Sequence, residues 1–283
     1  MSKGLSHLLV KKRQHEPIVM VTCYDYPTAQ IEDEAGVDII FVGDSVGTNM
    51  LGYASETEVT MEDMLHHLKA VRRGVKEAYL LVDLPHQSYQ TPSMALENAQ
   101  RLLAEGADGV KLEGGIEQVA VVRTLVAHDI EICGHIGFTP QTLGTKGRVQ
   151  GRSSEQGKAL LRSAQALEQA GLSLLVLELV SEPVSELITQ HLHIPTIGIG
   201  SGRYCDGQVL VVTDLLGISP LERKLFKRYE RLRERSTEAL IRYKHEVQQR
   251  SFPTEDNSFT KISEEEVTVL KRWMEQGMPD DSV

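Results

Sequence analysis

The chain has 283 residues and a formal net charge of −10, from 40 acidic and 30 basic side chains. That balance excludes a general nucleic-acid binder, which needs a basic surface. Three scattered cysteines, Cys23, Cys133 and Cys205, exclude a disulfide framework and fit a reduced compartment. No apolar run approaches the ~20 residues of a membrane span, and the first residues, Met-Ser-Lys-Gly-Leu-Ser-His, carry no signal-peptide core. A cytoplasmic protein is therefore expected, with no membrane and no nucleic acid among its partners.

Taken in order, residues 5–14 read as a short helix that leads into a first strand, Ile18 to Tyr24. Asp25 and Pro27 open a helix running to about Gly36, and the apolar run Asp38-Ile-Ile-Phe-Val-Gly follows as a buried strand. Thr60 with Asp63 forms a capping box ahead of Met61, Met64, Leu65, Leu68 and Val71, which share one helical face. Ser93 introduces a helix over Ala95 to Gly106, and further helices are expected over Ile116 to Ala127 and Glu155 to Ala170. Strands seven and eight are expected at Thr196–Gly200 and Gln208–Val212. Strands alternating with helices imply βαβ units and right-handed crossovers, and eight of them close as a (β/α)8 TIM barrel, an α/β fold. The segment 221–250 spaces Leu225, Tyr229, Leu232, Leu240, Tyr243 and Val247 as one face of a long, solvated outer helix. The expected organisation is one catalytic domain over 1–250, with a partly ordered C-terminal extension over 251–283.

Five of the strands end on titratable side chains. Asp44 and Ser45 follow Asp38-Ile-Ile-Phe-Val-Gly, and Asp83 ends Leu80-Leu-Val. Glu113 ends Gly109-Val-Lys-Leu, His135 ends Ile132-Cys-Gly, and Glu178 ends Leu174-Leu-Val-Leu. In a closed parallel barrel such tips converge on one mouth. Asp44, Asp83 and Glu113 offer hard oxygen donors, which suit Mg2+ better than zinc or copper. An ion held by so few protein groups keeps positions open for the keto and carboxylate oxygens of an α-keto acid. Lys111 lies two residues before Glu113 and faces the same side of its strand, either neutralising the acids or holding a substrate's anionic oxygens. His135 reads equally as a buried core histidine or as a catalytic or substrate-binding one. Glu178, an acid in apolar company, is the candidate proton acceptor. Gly198-Ile-Gly-Ser-Gly202 sits where many barrels bind phosphate, although close packing also demands glycine. The loop 138–154 is glycine-rich and basic through Lys146, Arg148 and Arg152, and reads either as a solvated loop or as a mobile lid over the mouth whose cations meet an anionic ligand. Cys205 lacks the His/Asp partners of a nucleophile.

The strings Thr22-Cys-Tyr-Asp-Tyr, Val42-Gly-Asp-Ser-Val-Gly, Val59-Thr-Met-Glu-Asp-Met-Leu-His-His, Lys111-Leu-Glu-Gly-Gly, Gly134-His-Ile-Gly-Phe-Thr-Pro-Gln and Cys205-Asp-Gly-Gln-Val-Leu-Val occur in that order. Over roughly residues 5–260 the chain resembles the ketopantoate hydroxymethyltransferase family. The resemblance implies a barrel of the phosphoenolpyruvate/pyruvate type, Mg2+, 3-methyl-2-oxobutanoate as keto acid and 5,10-methylenetetrahydrofolate as one-carbon donor. It also implies a homo-oligomer, a decamer. Asp44, Asp83 and Glu113 fall on the family's metal positions, and Asp44, Ser45, Asp83 and Lys111 on its keto-acid positions. Glu178 falls on the base. His86-Gln87 departs from the small or apolar pair usual there. A magnesium-dependent carbon–carbon lyase or mutase on the same barrel would usually carry a general-acid cysteine at a strand tip, and none stands in such a setting here.

Overall fold

The computed structural model describes residues 3–144, 147–221, 224–259 and 261–277. Its strands are β1 (Ile18–Thr22), β2 (Ile39–Val42), β3 (Tyr79–Asp83), β4 (Gly109–Glu113), β5 (Ile132–Gly137), β6 (Leu174–Glu178), β7 (Thr196–Ile199) and β8 (Gly207–Leu210). They pair in sequence order, all parallel, and β1 pairs β8 to close the barrel. The helices are α1 (Leu5–Gln14), α2 (Tyr26–Glu34), α3 (Met61–Gly74), α4 (Pro92–Ala104), α5 (Val119–Val126), α6 (Pro140–Leu143), α7 (Ser154–Gln169), α8 (Glu182–His191), α9 (Val212–Leu215), α10 (Leu232–Gln248) and α11 (Glu264–Glu275).

Period-two alternation along each strand sorts the core into two layers. Ile39, Phe41, Tyr79, Leu81, Cys133, Leu174, Val176, Ile197 and Val209 fill the barrel interior. Ile40, Val42, Leu80, Val82, Val110, Leu112, Leu175 and Leu177 face the helices, where Met64, Leu68, Ala99, Leu102, Val122 and Leu167 meet them. At the N-terminal end of the barrel, Leu8 of α1 packs fully buried against the interior residues. Lys11 bonds Asp38 at 2.6 Å and Lys12 bonds Asp206 at 2.7 Å. Those two carboxylates also accept from the backbone N–H groups of Val19 and Thr196.

The capping box of α3 forms, with Thr60 N–H donating to Asp63 at 2.9 Å and Asp63 N–H donating to Thr60 Oγ1 at 3.2 Å. α4 begins earlier than its sequence suggests: Thr91, not Ser93, accepts from the Met94 N–H, and Pro92 takes the first turn, where no N–H is needed. β8 ends at Leu210 because Val212 already starts the one-turn α9.

The largest departure is the expected helix over 221–250. The described residues between Pro220 and Leu232 are irregular, and α10 starts only at Leu232. Leu221, Leu225 and Phe226 serve a different surface, the cavity at the barrel mouth. The Arg228 guanidinium donates to the carbonyls of Ser219 and Leu221, and the Tyr229 N–H donates to Leu215 O at 2.9 Å, so these backbone groups are held without helical bonds. No residue of α10 is buried, so its apolar spacing does not mark a packed face. The chain divides into two compact units, residues 1–231 and 232–283.

Outside the mouth, α2 also buries an acid. Glu32 of α2 is 6% exposed, and neither carboxylate oxygen has a conventional hydrogen-bond partner. Burial, with Asp25 adding repulsion and the Cys23 thiol only partly offsetting it, pushes Glu32 up from 4.5 to about 8. Across that window the unfolded chain releases a proton that the folded chain retains, so stability falls as pH rises through it. Glu32→Gln removes the penalty. Its urea midpoint should match the wild type's near pH 4.5 and exceed it increasingly towards pH 8, at up to ~1.4 kcal/mol per pH unit. A pH-independent difference would show that Glu32 is not held neutral.

Candidate active site

The C-terminal ends of the strands surround one cavity of about 350 Å3. Asp44, Ser45, Asp83, Lys111, Glu113, His135 and Glu178 all line it. Barrel register explains the convergence, since Lys111 stands opposite Asp83 and His135 opposite Glu113 on neighbouring strands.

Lys111 Nζ bonds Asp83 Oδ1 at 2.5 Å and lies 5.1 Å from the Phe41 ring centroid. Asp83 Oδ2 accepts the Asp44 N–H at 3.0 Å, which ties the β2 tip to β3. Glu113 Oε1 lies 3.1 Å from His135 Nδ1, and its Oε2 accepts the Gln141 N–H at 3.0 Å. Asp44 Oδ2 accepts from Gln141 Nε2 at 2.7 Å. Ser45 Oγ is 2.8 Å from the Tyr24 hydroxyl. Glu178 differs from the other acids, because its side chain is 22% exposed and reaches His135 Nε2 at 3.4 Å. The sealed apolar surroundings expected for it are therefore half open.

Charge is unevenly compensated. Burial disfavours ionised Glu113, but His135 first, then Lys111 and the Gln141 N–H, outweigh that and hold it below the usual carboxylate range. Burial likewise opposes the charged forms of His135 and Lys111. Glu113 and Glu178 nevertheless raise the imidazole to about 9, and Asp83, Glu113 and Asp44 raise the amine. Asp83 stays raised because burial exceeds what Lys111 returns. Asp44 is raised well above its ordinary value by burial, then by Asp83 and Glu113, with Lys111 and Gln141 too weak to reverse it. Positive charge is thus short at Asp44. The donor set, three buried carboxylates facing one cavity, suits a hard divalent cation. Among the described residues no three His, Cys, Asp or Glu side chains are drawn into a ready-made metal shell. The hydrogen bonds above show why: Lys111, His135 and Gln141 already engage the carboxylates.

Gln141 has no role in the sequence reading, although it closes the Gly134–Gln141 string. It is buried at the start of α6, donates to Asp44 and to Leu84 O, and accepts from the Tyr89 hydroxyl. Other candidates do not line the cavity. His86 and Gln87 are absent from the cavity lining, as are Arg148 and Arg152, both exposed. Lys146 lies outside the described residues. Burial pushes the Cys205 thiol up to about 11, which removes it as a nucleophile.

A closed parallel barrel with buried acids gathered at its C-terminal mouth defines an α/β-barrel enzyme site. Solved structures share the barrel: a phosphonopyruvate hydrolase complexed with oxalate and Mg++ (TM-score 0.59, 12% identity, 98% of this chain and 97% of that one). A 2,3-dimethylmalate lyase, described as a PEP mutase/isocitrate lyase superfamily member, matches with a TM-score of 0.57 at 13% identity over 98% of each chain. At such identities the likeness speaks for the fold alone. The chain belongs to the ketopantoate hydroxymethyltransferase family, whose model matches residues 3–255. The 3-methyl-2-oxobutanoate hydroxymethyltransferase of Thermotoga neapolitana is 51% identical over 261 residues, covering 90% of this chain and 96% of that protein. That of Thermoanaerobacter sp. is 45% identical over 267 residues, covering 92% and 97%.

The Gln141 bonds have a measurable consequence. Gln141→Leu keeps the volume but withdraws the side-chain donor from a buried carboxylate, an interaction worth ~1.5–3 kcal/mol. Turnover should fall by at least about tenfold, and the melting temperature should fall with it, because the Leu84 carbonyl and the Tyr89 hydroxyl also lose that partner. Wild-type turnover in Gln141→Leu would remove it from the site.

Proposed function

We propose that this protein transfers a hydroxymethyl group from 5,10-methylenetetrahydrofolate to 3-methyl-2-oxobutanoate, forming ketopantoate for pantothenate synthesis. One observation carries the reading: Asp44, Asp83, Lys111, Glu113, His135 and Glu178, from five strand ends, share a single cavity in a chain of this family. Asp44, Asp83 and Glu113 are assigned to hold Mg2+. When bound, the ion would supply Lewis-acid stabilisation for negative charge developing on the keto oxygen.

The protein's own groups account for the rest. Lys111, fixed beside Asp83, supplies fixed positive charge towards the substrate's anionic oxygens, and Ser45, held by the Tyr24 hydroxyl, adds a hydrogen-bonding group at the same rim. His135 is clamped between Glu113 and Glu178, and we assign it to the keto-acid site as a buried positive charge beside the base. Glu178, the acid with access to the cavity, accepts the C3 proton of the keto acid. The hydroxyl comes last, from water, as the methylene carbon–nitrogen bond breaks and tetrahydrofolate leaves with a proton on that nitrogen. Before that, the enolate carbon attacks the methylene carbon of the folate in its iminium form and makes the carbon–carbon bond. Apolar side chains on the other walls, Leu179, Val211, Leu225 and Phe226 among them, exclude water from that step and leave room for a second reactant. A homo-oligomer, a decamer, and a cytoplasmic location complete the reading. No described helix is long and apolar enough to cross a membrane.

The metal assignment is tested by calorimetry of keto-acid binding with and without Mg2+. Asp83→Ala should lose the Mg2+-dependent part of binding together with turnover. Keto-acid affinity unchanged by chelator in the wild type would sink the assignment. The base is tested without folate: in D2O with Mg2+, the wild type should exchange the C3 hydrogen of 3-methyl-2-oxobutanoate, followed by proton NMR. Glu178→Gln should bind keto acid within a few-fold and slow exchange by about 10²–10⁴. Exchange at the wild-type rate would transfer the role elsewhere, with His135 the next group to test.

A further inference from the structure

The glycine-rich string after β7 has no ligand in the reading above, and the structure places it behind the residue that follows Glu178. Leu179 has φ 49, a left-handed conformation that a branched side chain rarely adopts. Alternation along a strand would send residues 178 and 179 to opposite faces. The left-handed turn breaks that alternation, and Glu178 and Leu179 both line the cavity.

Such a conformation persists only where its surroundings over-determine it, and here every backbone group around it is held. Glu178 O accepts the Phe138 N–H at 2.8 Å, the Leu179 N–H donates to Ile199 O at 2.9 Å, and Leu179 O accepts the Gln150 N–H at 2.7 Å. Ser201 closes the turn from behind. Its hydroxyl, fully buried, donates to Leu177 O at 2.6 Å and accepts the Val180 N–H at 3.0 Å, so one side chain spans the backbone on both sides of 178–179. Gly200, at φ 63, lets the loop pass beneath Leu179, since a Cβ there would stand 2.9 Å from Leu179 Cδ2.

We propose that Ser201 is a positioning residue for the proton acceptor: its hydroxyl clamps the left-handed Leu179 turn and thereby aims the Glu178 carboxylate into the cavity. The string Gly198–Gly202 is then a mount for the base and not a phosphate cradle. This inference rests on Glu178 being the base, so the two are tested together by folate-independent C3 hydrogen exchange with Mg2+ in D2O.

Ser201→Ala should slow exchange by about 10- to 100-fold, the size expected when a positioned group is displaced by a fraction of an ångström to one ångström. Keto-acid affinity should stay within about twofold, since the displaced group acts in proton transfer. A general loss of packing would not distinguish the residue at 179, but the clamp does. Glycine adopts a left-handed φ freely, so in a Leu179→Gly background the added Ser201→Ala change should slow exchange by no more than about threefold, a coupling read from the double-mutant cycle. Where Ser201→Ala does not fold, Leu179→Val and Leu179→Gly carry the comparison, since the β-branched residue resists the turn and should exchange at least about tenfold more slowly than the glycine variant. Wild-type exchange in Ser201→Ala, an equal effect of that change in both backgrounds, or equal rates in the two Leu179 variants overturns the proposal. If Glu178→Gln itself exchanges normally, it is the assignment of the base that fails. If Glu178→Gln is slow and Ser201→Ala is not, only the clamp fails.

Discussion

The buried carboxylates Asp44, Asp83 and Glu113 share one cavity with Lys111 and His135, and the C-terminal mouth of the barrel is arranged around tolerating them. Left unpaired, a buried carboxylate takes up a proton sooner than it keeps its charge. The structure meets this with specific donors: Lys111 on Asp83, His135 and the Gln141 N–H on Glu113, and the Gln141 side chain on Asp44. Those donors do not balance the acids. The shortfall settles on Asp44, which remains raised well above its ordinary value by burial and by the other two carboxylates. An arrangement that served stability alone would not leave such a deficit facing an open cavity.

The opposite end of the barrel shows what balanced acids look like in the same chain. Asp38 and Asp206 each meet a lysine from α1 within 2.7 Å and also accept backbone N–H groups. For Asp38, burial is outweighed by Lys11 and the Val19 N–H, so the carboxylate is held low. Leu8 fills the end of the barrel between these pairs. Acids at the bottom therefore staple a helix to strand ends, whereas acids at the top are gathered and left short of positive charge. The same residue type serves architecture at one end and chemistry at the other, and the number of cations brought to it marks the difference.

How much of this was legible in the chain follows from where the signals are local. An apolar run ending in Asp, Glu or His declares both a buried strand and a mouth residue, so Asp83, Glu113, His135 and Glu178 could be placed by reading alone. Barrel closure follows from the βα alternation. Gln141 was not legible as a contact, because it sits on a one-turn helix with no periodicity, and its partners are distant in sequence. Ser201 and Leu179 were hidden for a related reason: a left-handed leucine leaves no compositional trace, and the glycines around Ser201 suggested a phosphate. Residues 221–231 misled because Leu225, Tyr229 and Leu232 have helical spacing, while the fold sends Leu225 and Phe226 to the cavity wall. Apolar periodicity over 221–250 records neither one continuous helix nor burial, since Tyr229, Leu240, Tyr243 and Val247 are exposed.

Setting Glu178 apart from the acid cluster avoids a conflict built into such a site. A carboxylate that shares the buried cluster is bound by its neighbours' charges, as Glu113 is by His135 and Lys111, and so is poorly suited to take a proton from carbon. Glu178 stands at the rim instead, on the next strand beyond His135, with part of its side chain exposed. Its geometry then cannot come from the salt-bridge network, which reaches it only through His135 at 3.4 Å. It has to come from backbone, and the hydrogen bonds from Phe138, Ile199, Gln150 and Ser201 around residues 177–180 provide it. Electrostatics fixes the acid cluster in this barrel, and the main chain fixes Glu178.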